Sequence, residues 1–318
     1  SYDGRMQEPV RLPAKIPLLL GAEGIAVGMA TKIMPHNFGE LFQAQIDYLR
    51  GREFVLYPDF PRVGIIDVTD YNHGNCRIRC RVRLTQPDAR TIVITELPAT
   101  ITTQSLIESI EKAAKANKLK IASINDYTAE KVEVEIKLAR GVLAEETIDA
   151  LYAFTDCELS VSPSLIAIEE NMPRKLQVED VLRRNTDRLL KNLQTELTIE
   201  LGRLEEIGHA RELEQIFIEE RLYKQIEEQT NYKAVTGTVR LALAPYAEQL
   251  RRKITAEDVE RLLEIRIRRI SRYDINRQEK ELREIEKGIA RIKKDLTNMV
   301  IFTISFLEDL LTRYAPLS

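Results

Sequence analysis

The sequence predicts an α+β protein: a mixed-sheet module, then a long antiparallel helical stalk carrying a small helical knob. Three observations carry that prediction. From about residue 54 to 172, several short runs alternate apolar and polar side chains with period two, interleaved with two helical patterns. After Pro173 the period is helical for most of the remaining chain. Charged residues make up 31% of the composition and tryptophan is absent, a balance suited to long solvated helices.

The chain has 318 residues, enough for more than one hydrophobic core. Its formal net charge of -3 excludes a uniformly basic surface, so any phosphate contact must be local. Three cysteines share no metal-ligand spacing with the three histidines, and their odd number argues against a disulfide framework. No signal peptide is evident, and no stretch approaches the roughly 18 apolar residues of a membrane span. A soluble, cytoplasmic protein with no membrane partner is expected.

The first 53 residues contain Gly24-Ile25-Ala26-Val27-Gly28-Met29-Ala30-Thr31, with Pro13 and Pro17 before it and Pro35 after it. Glycines permit close backbone approach and the prolines stiffen the flanks, so the segment reads as a loop that presents Ile25. A helix from Asn37 to Arg50 follows, with Asn37 as N-cap and Gly51 as its stop.

Cys76 to Leu84 alternates Arg77, Arg79, Arg81 and Arg83 with apolar residues and reads as one half-buried strand. A second alternating strand, Val132 to Leu138, offers Glu133 and Glu135, so cross-strand charge pairing is preferred to a phosphate-binding stripe. Further strand-like runs lie at Gly64 to Val68, Thr91 to Leu97 and Leu159 to Ile168. The helices between them are placed at Thr103 to Asn117, with a Ser105 to Glu108 capping spacing, and at Glu145 to Phe154.

In the stalk, Leu189, Leu193, Leu197, Leu201 and Leu204 recur at helical steps. The return helix repeats Leu282, Ile285, Ile289, Ile292, Leu296 and Met299 at alternating steps of three and four, a coiled-coil seam. Gly288 costs about 1 kcal/mol there, which the seam outweighs. Between them the chain reads as a helical cap with breaks at Thr236-Gly237-Thr238 and Pro245 and a capping-box start at Thr255 and Asp258. Leu262, Leu263, Ile265, Ile267 and Ile270 alternate with Arg261, Arg266, Arg268 and Arg269, which fits a knob core or a contact between copies.

Taken together, Tyr2-Asp3-Gly4, Pro13-x-x-Ile16-Pro17, the Gly24 to Thr31 motif, Pro35-His36-Asn37, Pro58-Asp59-Phe60-Pro61 and Leu262 to Ile270 resemble the A subunit of bacterial type IIA DNA topoisomerases. That family includes gyrase and topoisomerase IV, and the resemblance does not divide the two. It implies a DNA-wedge loop in residues 1–53, a tower module in 54–172, a first stalk helix in 173–208, an exit-gate knob in 209–272 and a return stalk helix in 273–318.

It further implies DNA contact by Ile25 and Gly24, with Lys15, Arg11 and Lys32 as the nearest cations. A homodimeric gate would form through Leu262, Leu263, Ile265, Arg266, Ile267 and Ile270. The family's DNA-cleaving tyrosine precedes the Tyr-Asp-Gly motif, so no catalytic residue is assigned here. Arg272-Tyr273 and Arg313-Tyr314 are read as structural, and the isolated chain is not expected to cleave DNA. No cofactor or metal is assigned to this chain. ATP and magnesium are implied for a partner B subunit.

One departure from the family pattern is Gly21-Ala22-Glu23 ahead of the wedge, which puts a carboxylate beside it. From the residues alone, two other readings stand: a coiled-coil scaffold with no DNA role, and an architectural DNA-binding module unrelated to strand passage.

Overall fold

The computed structural model describes residues 16–60, 64–98, 101–169, 171–226, 231–265 and 272–314. The chain divides into two compact units, residues 1–189 with 304–318, and residues 190–303.

The first unit opens with α1 (Ile16–Leu20) and a hairpin of β1 (Ala22–Ala26) and β2 (Met29–Ile33). α2 (Phe38–Leu49) follows, its first turn capped by Asn37, whose side chain accepts from the Gly39 and Glu40 amides. That satisfies two of the orphan donors at a helix start. β3 (Ile65–Asp67) pairs with β4 (Ile78–Arg81), which in turn pairs with β9 (Glu158–Val161), making a three-stranded antiparallel sheet.

The larger sheet has the order β5-β6-β8-β7, from β5 (Arg83–Asp88), β6 (Thr91–Glu96), β7 (Ile121–Asp126) and β8 (Val134–Leu138). α3 (Thr103–Lys115) and α4 (Ala144–Phe154) supply Leu106, Ile110 and Leu151 to its core, against Ile92, Ile94 and Ile136. A second hairpin, β10 (Ile166–Glu169) and β11 (Met172–Lys175), precedes the long helix α5 (Val178–Glu219).

Four details of this unit differ from the sequence expectation. The Leu159 to Ile168 run is divided between β9 and β10, which belong to different sheets. The Cys76 to Leu84 run is not one strand. It changes sheets at Val82, whose amide bonds to Cys157 O, and β5 then starts with a register shift between Arg83 and Leu84. The arginines are paired across strands, but with Asp67, Glu158 and Glu96 and not with Glu133 and Glu135. The cap of α3 is formed reciprocally by Thr102 and Ser105, one turn earlier than the predicted Ser105 to Glu108 spacing.

In the second unit, α5 is paired with α8 (Arg272–Thr297). Glu205 binds Lys293 at 2.8 Å and Arg211 binds Glu281 at 3.4 Å, so numbering rises on one helix as it falls on the other, an antiparallel pair. Gly288 sits where a Cβ would come within 3.2 Å of Leu204 Cδ1. The predicted glycine cost is thus offset by close helix approach. The return helix breaks for one residue at Asn298 before α9 (Met299–Tyr314), a break that the heptad pattern did not predict.

α6 (Tyr232–Leu243) and α7 (Ala256–Leu263) complete the helical knob, whose core contains Leu213, Phe217, Val239, Leu243, Val259 and Leu262. α6 runs straight through Gly237, contrary to the predicted break, because burial of Val239 and Leu243 on one face outweighs about 1 kcal/mol of glycine propensity. The Thr255 and Asp258 capping box is formed as predicted.

Two buried histidines make stability pH-dependent. His36 and His209 are held below the ordinary value of 6.5, chiefly by burial away from water; beside His209, Arg252 adds repulsion. Each therefore takes up a proton more readily unfolded than folded, so stability is full above about 6.5 and declines as pH falls from there toward the folded values. Denaturant midpoints should fall between about pH 7 and about pH 5, and His36→Gln should flatten part of that slope.

Candidate nucleic-acid interface

The Gly24 to Thr31 motif is a β-hairpin and not an irregular loop. Its register pairs Glu23 with Lys32, Gly24 with Thr31, Ile25 with Ala30 and Ala26 with Met29, leaving Val27-Gly28 as a two-residue turn. Gly28 has a φ of +78, a left-handed conformation that a Cβ would strain. At the base, a Cβ on Gly21 would meet Ile33 O at 3.0 Å, so glycine lets the two strands close.

This geometry makes a thin blade. Ile25 is flanked by Gly24 and Ala26 along its strand and by Ala30 across from it, so nothing large shields it. It is 86% exposed, and Val27 at the turn is fully exposed. An isolated aliphatic side chain this open gains nothing from the fold, since burying it elsewhere is worth about 1.5 to 3 kcal/mol. Its chemistry suits insertion into an apolar stack.

The blade stands on a rigid base. Lys32 and Ser164 exchange both backbone hydrogen bonds, at 2.8 and 2.9 Å, and Thr31 Oγ1 donates to Ser164 O at 3.1 Å. Just beyond β2, His36 is buried, with Nδ1 at 2.9 Å from Leu18 O and Nε2 at 3.3 Å from the Tyr71 hydroxyl. The lowered proton affinity of His36 fits a neutral ring that donates to the carbonyl and accepts from the hydroxyl. In the sequence His36 stands out only as part of the Pro35-His36-Asn37 motif. Its position two residues before a capped helix start gives no sign of this anchoring role.

Of the predicted cations, Lys32 pairs with Glu23 at 3.3 Å across the hairpin, while Arg11 and Lys15 lie outside the described residues. The Glu23 carboxylate therefore partly neutralises Lys32. Both side chains are well exposed, so the pair is weak and a polyanion can displace it.

The predicted gate residues are distributed differently. Leu262 is 4% exposed and belongs to the knob core, whereas Leu263 and Ile265 are partly covered. Ile265 also borders a shallow cavity of about 180 Å³ with Leu213, Glu214 and Arg261. Arg266, Ile267 and Ile270 lie outside the described residues. Among the described residues no cluster of histidine, cysteine, aspartate or glutamate could hold a metal ion, and no helix is long and apolar enough to cross a membrane.

Comparison with known proteins agrees with the motif resemblance. Residues 1–310 match the family of DNA gyrase/topoisomerase IV A subunits. The chain is 41% identical over 317 residues to the A subunit of DNA topoisomerase 4 from Borreliella burgdorferi, covering 99% of this chain and 51% of that protein. It is 30% identical over 323 residues to the DNA gyrase A subunit of Mycobacterium tuberculosis and 29% identical over 315 residues to that of Lawsonia intracellularis. Those two alignments cover 92% and 91% of this chain and 37% of each relative. The chain thus spans about half the length of the first relative and less of the others. With the family match extending over nearly its whole length, the chain belongs to the family of DNA gyrase and topoisomerase IV A subunits.

Proposed function

We propose that this chain is the part of a type IIA topoisomerase A subunit that binds and bends duplex DNA and forms a dimeric exit gate for strand passage. The observation that carries the DNA reading is Ile25, exposed at the edge of an anchored hairpin made of small residues. Apolar side chains on such narrow supports enter base steps and kink the duplex.

The energetics define what Ile25 does. Unstacking one step costs a few kcal/mol and bending a short site roughly 1 to 6 kcal/mol, whereas burying one isoleucine returns about 1.5 to 3 kcal/mol. The wedge sets where the bend occurs, and phosphate contacts supply the remaining drive. Lys15, Arg11 and Lys32 are the nearest candidates in sequence.

The gate reading rests on the antiparallel pair of α5 and α8 and on the partly covered Leu263 and Ile265. Two copies would meet through their knobs, with Arg266, Ile267 and Ile270 completing the contact, and the stalk helices would act as a coiled coil. ATP hydrolysis and magnesium chemistry belong in this scheme to a B subunit. Light scattering at micromolar concentration should give a dimer mass. A monomer would count against the gate.

The DNA reading is tested by Ile25→Ala in the native protein containing this chain, with bend angle read by energy transfer between duplex ends. The bend should shrink, and affinity should fall by about tenfold or somewhat more. The melting temperature should be unchanged because the side chain packs against nothing. An unchanged bend angle would remove the wedge.

A further inference from the structure

The β10–β11 hairpin lies beside the wedge hairpin, and the register between them fixes which of its side chains share the wedge's face. The Lys32 and Ser164 bridge is antiparallel, and Ile166 donates its N–H to Thr31 Oγ1 at 3.2 Å where the backbones separate. The antiparallel sense of the bridge runs β10 toward its turn as β2 runs back toward Gly28, although the two strands belong to separate sheets. Both hairpin turns therefore project the same way.

Side chains directly opposite one another in antiparallel strands share a face. Ile25, Ala30 and Lys32 are thus on one face with Ser164, Ile166 and Ile168. Through the register of Ile168 with Pro173 and Ile166 with Lys175, that face continues onto β11. Glu169 and Arg174 stand on the reverse face, where Glu169 is bound by both Arg174 and Arg184. Leu165, also on the reverse side, is buried, so the Ile25 face is the outer one.

We propose that this outer face extends the duplex-binding surface onto the second hairpin, with Ile168 against the sugar edge of the groove and Lys175 on a backbone phosphate. The proposal rests on the wedge reading of Ile25. Ile168 is 68% exposed, an open aliphatic with no protein neighbour large enough to cover it. Its acidic neighbour Glu169 is turned away, and the outer face carries Lys32 and Lys175 against Glu23 alone, which favours a polyanion over an apolar protein groove. Lys175, paired with Ile166, is on the same face as Ile25.

The test measures binding of a duplex of roughly 30 base pairs to the native protein across a salt series. Lys175→Gln should lower the slope of log affinity against log salt by about one, and Ile168→Ser should weaken binding several-fold with the slope unchanged. Arg174→Gln, on the reverse face, should leave the slope alone. A slope loss at Arg174 in place of Lys175 would overturn the face assignment. Unchanged binding by both Lys175→Gln and Ile168→Ser, while Ile25→Ala still reduces the bend, would overturn this proposal and leave the wedge standing.

Discussion

Replacing Arg252 by alanine is expected to destabilise the helical knob by about 2 to 3 kcal/mol. The guanidinium grips two carboxylates at once: Asp258 at 2.7 and 3.0 Å and Glu206 at 2.9 and 2.8 Å. Asp258 is buried at the start of α7, where it also accepts from the Thr255 amide and hydroxyl at 2.8 and 2.9 Å. Burial works against its charge, but these donors outweigh burial and hold the carboxyl far below the usual range.

Removing Arg252 leaves that charge buried with the two Thr255 donors and, at 3.6 Å, the buried His209 Nε2. A fully buried pair broken on one side costs about 3 to 5 kcal/mol. The figure here is lower because Arg252 is 31% exposed and Thr255 keeps its two bonds. Adding Asp258→Asn to Arg252→Ala should recover part of the loss, because the amide oxygen can still cap the helix without a charge. Denaturant titration together with amide exchange in α7 measures both effects. A loss below about 0.5 kcal/mol would mean that the pair behaves as a surface contact.

The second large effect is expected at Gly74→Ala, at about 2 to 4 kcal/mol. Asn72, His73 and Gly74 take successive left-handed φ values of 41, 55 and 89. A Cβ on Gly74 would stand 2.6 Å from Val178 Cγ2 at the first turn of α5. The turn exists to let the chain approach that helix: His73 reaches Glu179 Oε1 at 2.9 Å and Asn75 donates to Leu176 O at 3.0 Å. Alanine brings both backbone strain and overpacking, since Val178 is itself buried. The melting temperature should fall by several degrees, and Val178→Ala in the Gly74→Ala background should restore part of it by removing the clash.

The sequence made much of this architecture legible where the periodicity was long. The change from period two to helical spacing located the sheet module and the stalk, and Thr255 with Asp258 marked the start of α7. Short-range chemistry was harder to read. The wedge segment resembled a loop because its small residues carry no apolar alternation, yet that same smallness allows Ile25 to pair with Ala30 on a narrow hairpin.

Long-range pairing decided the other differences. The Cys76 to Leu84 alternation gives no sign that Val82 changes sheets, since that depends on Cys157 some 75 residues later. The arginine partners were misassigned for the same reason, as strand order sets them. The second hairpin did leave a local signal in Asn171, which tolerates a left-handed φ of 63 at the turn, and in Pro173 on a short two-stranded ribbon.

The central event we propose is the entry of the Ile25 side chain into the base stack, and fluorescence of 2-aminopurine placed at the proposed bent step reads it directly. Binding of the native protein should unstack the probe and raise its emission, and Ile25→Ala should abolish the rise while still binding the duplex. A bound duplex with unchanged emission for the native protein would contradict the wedge.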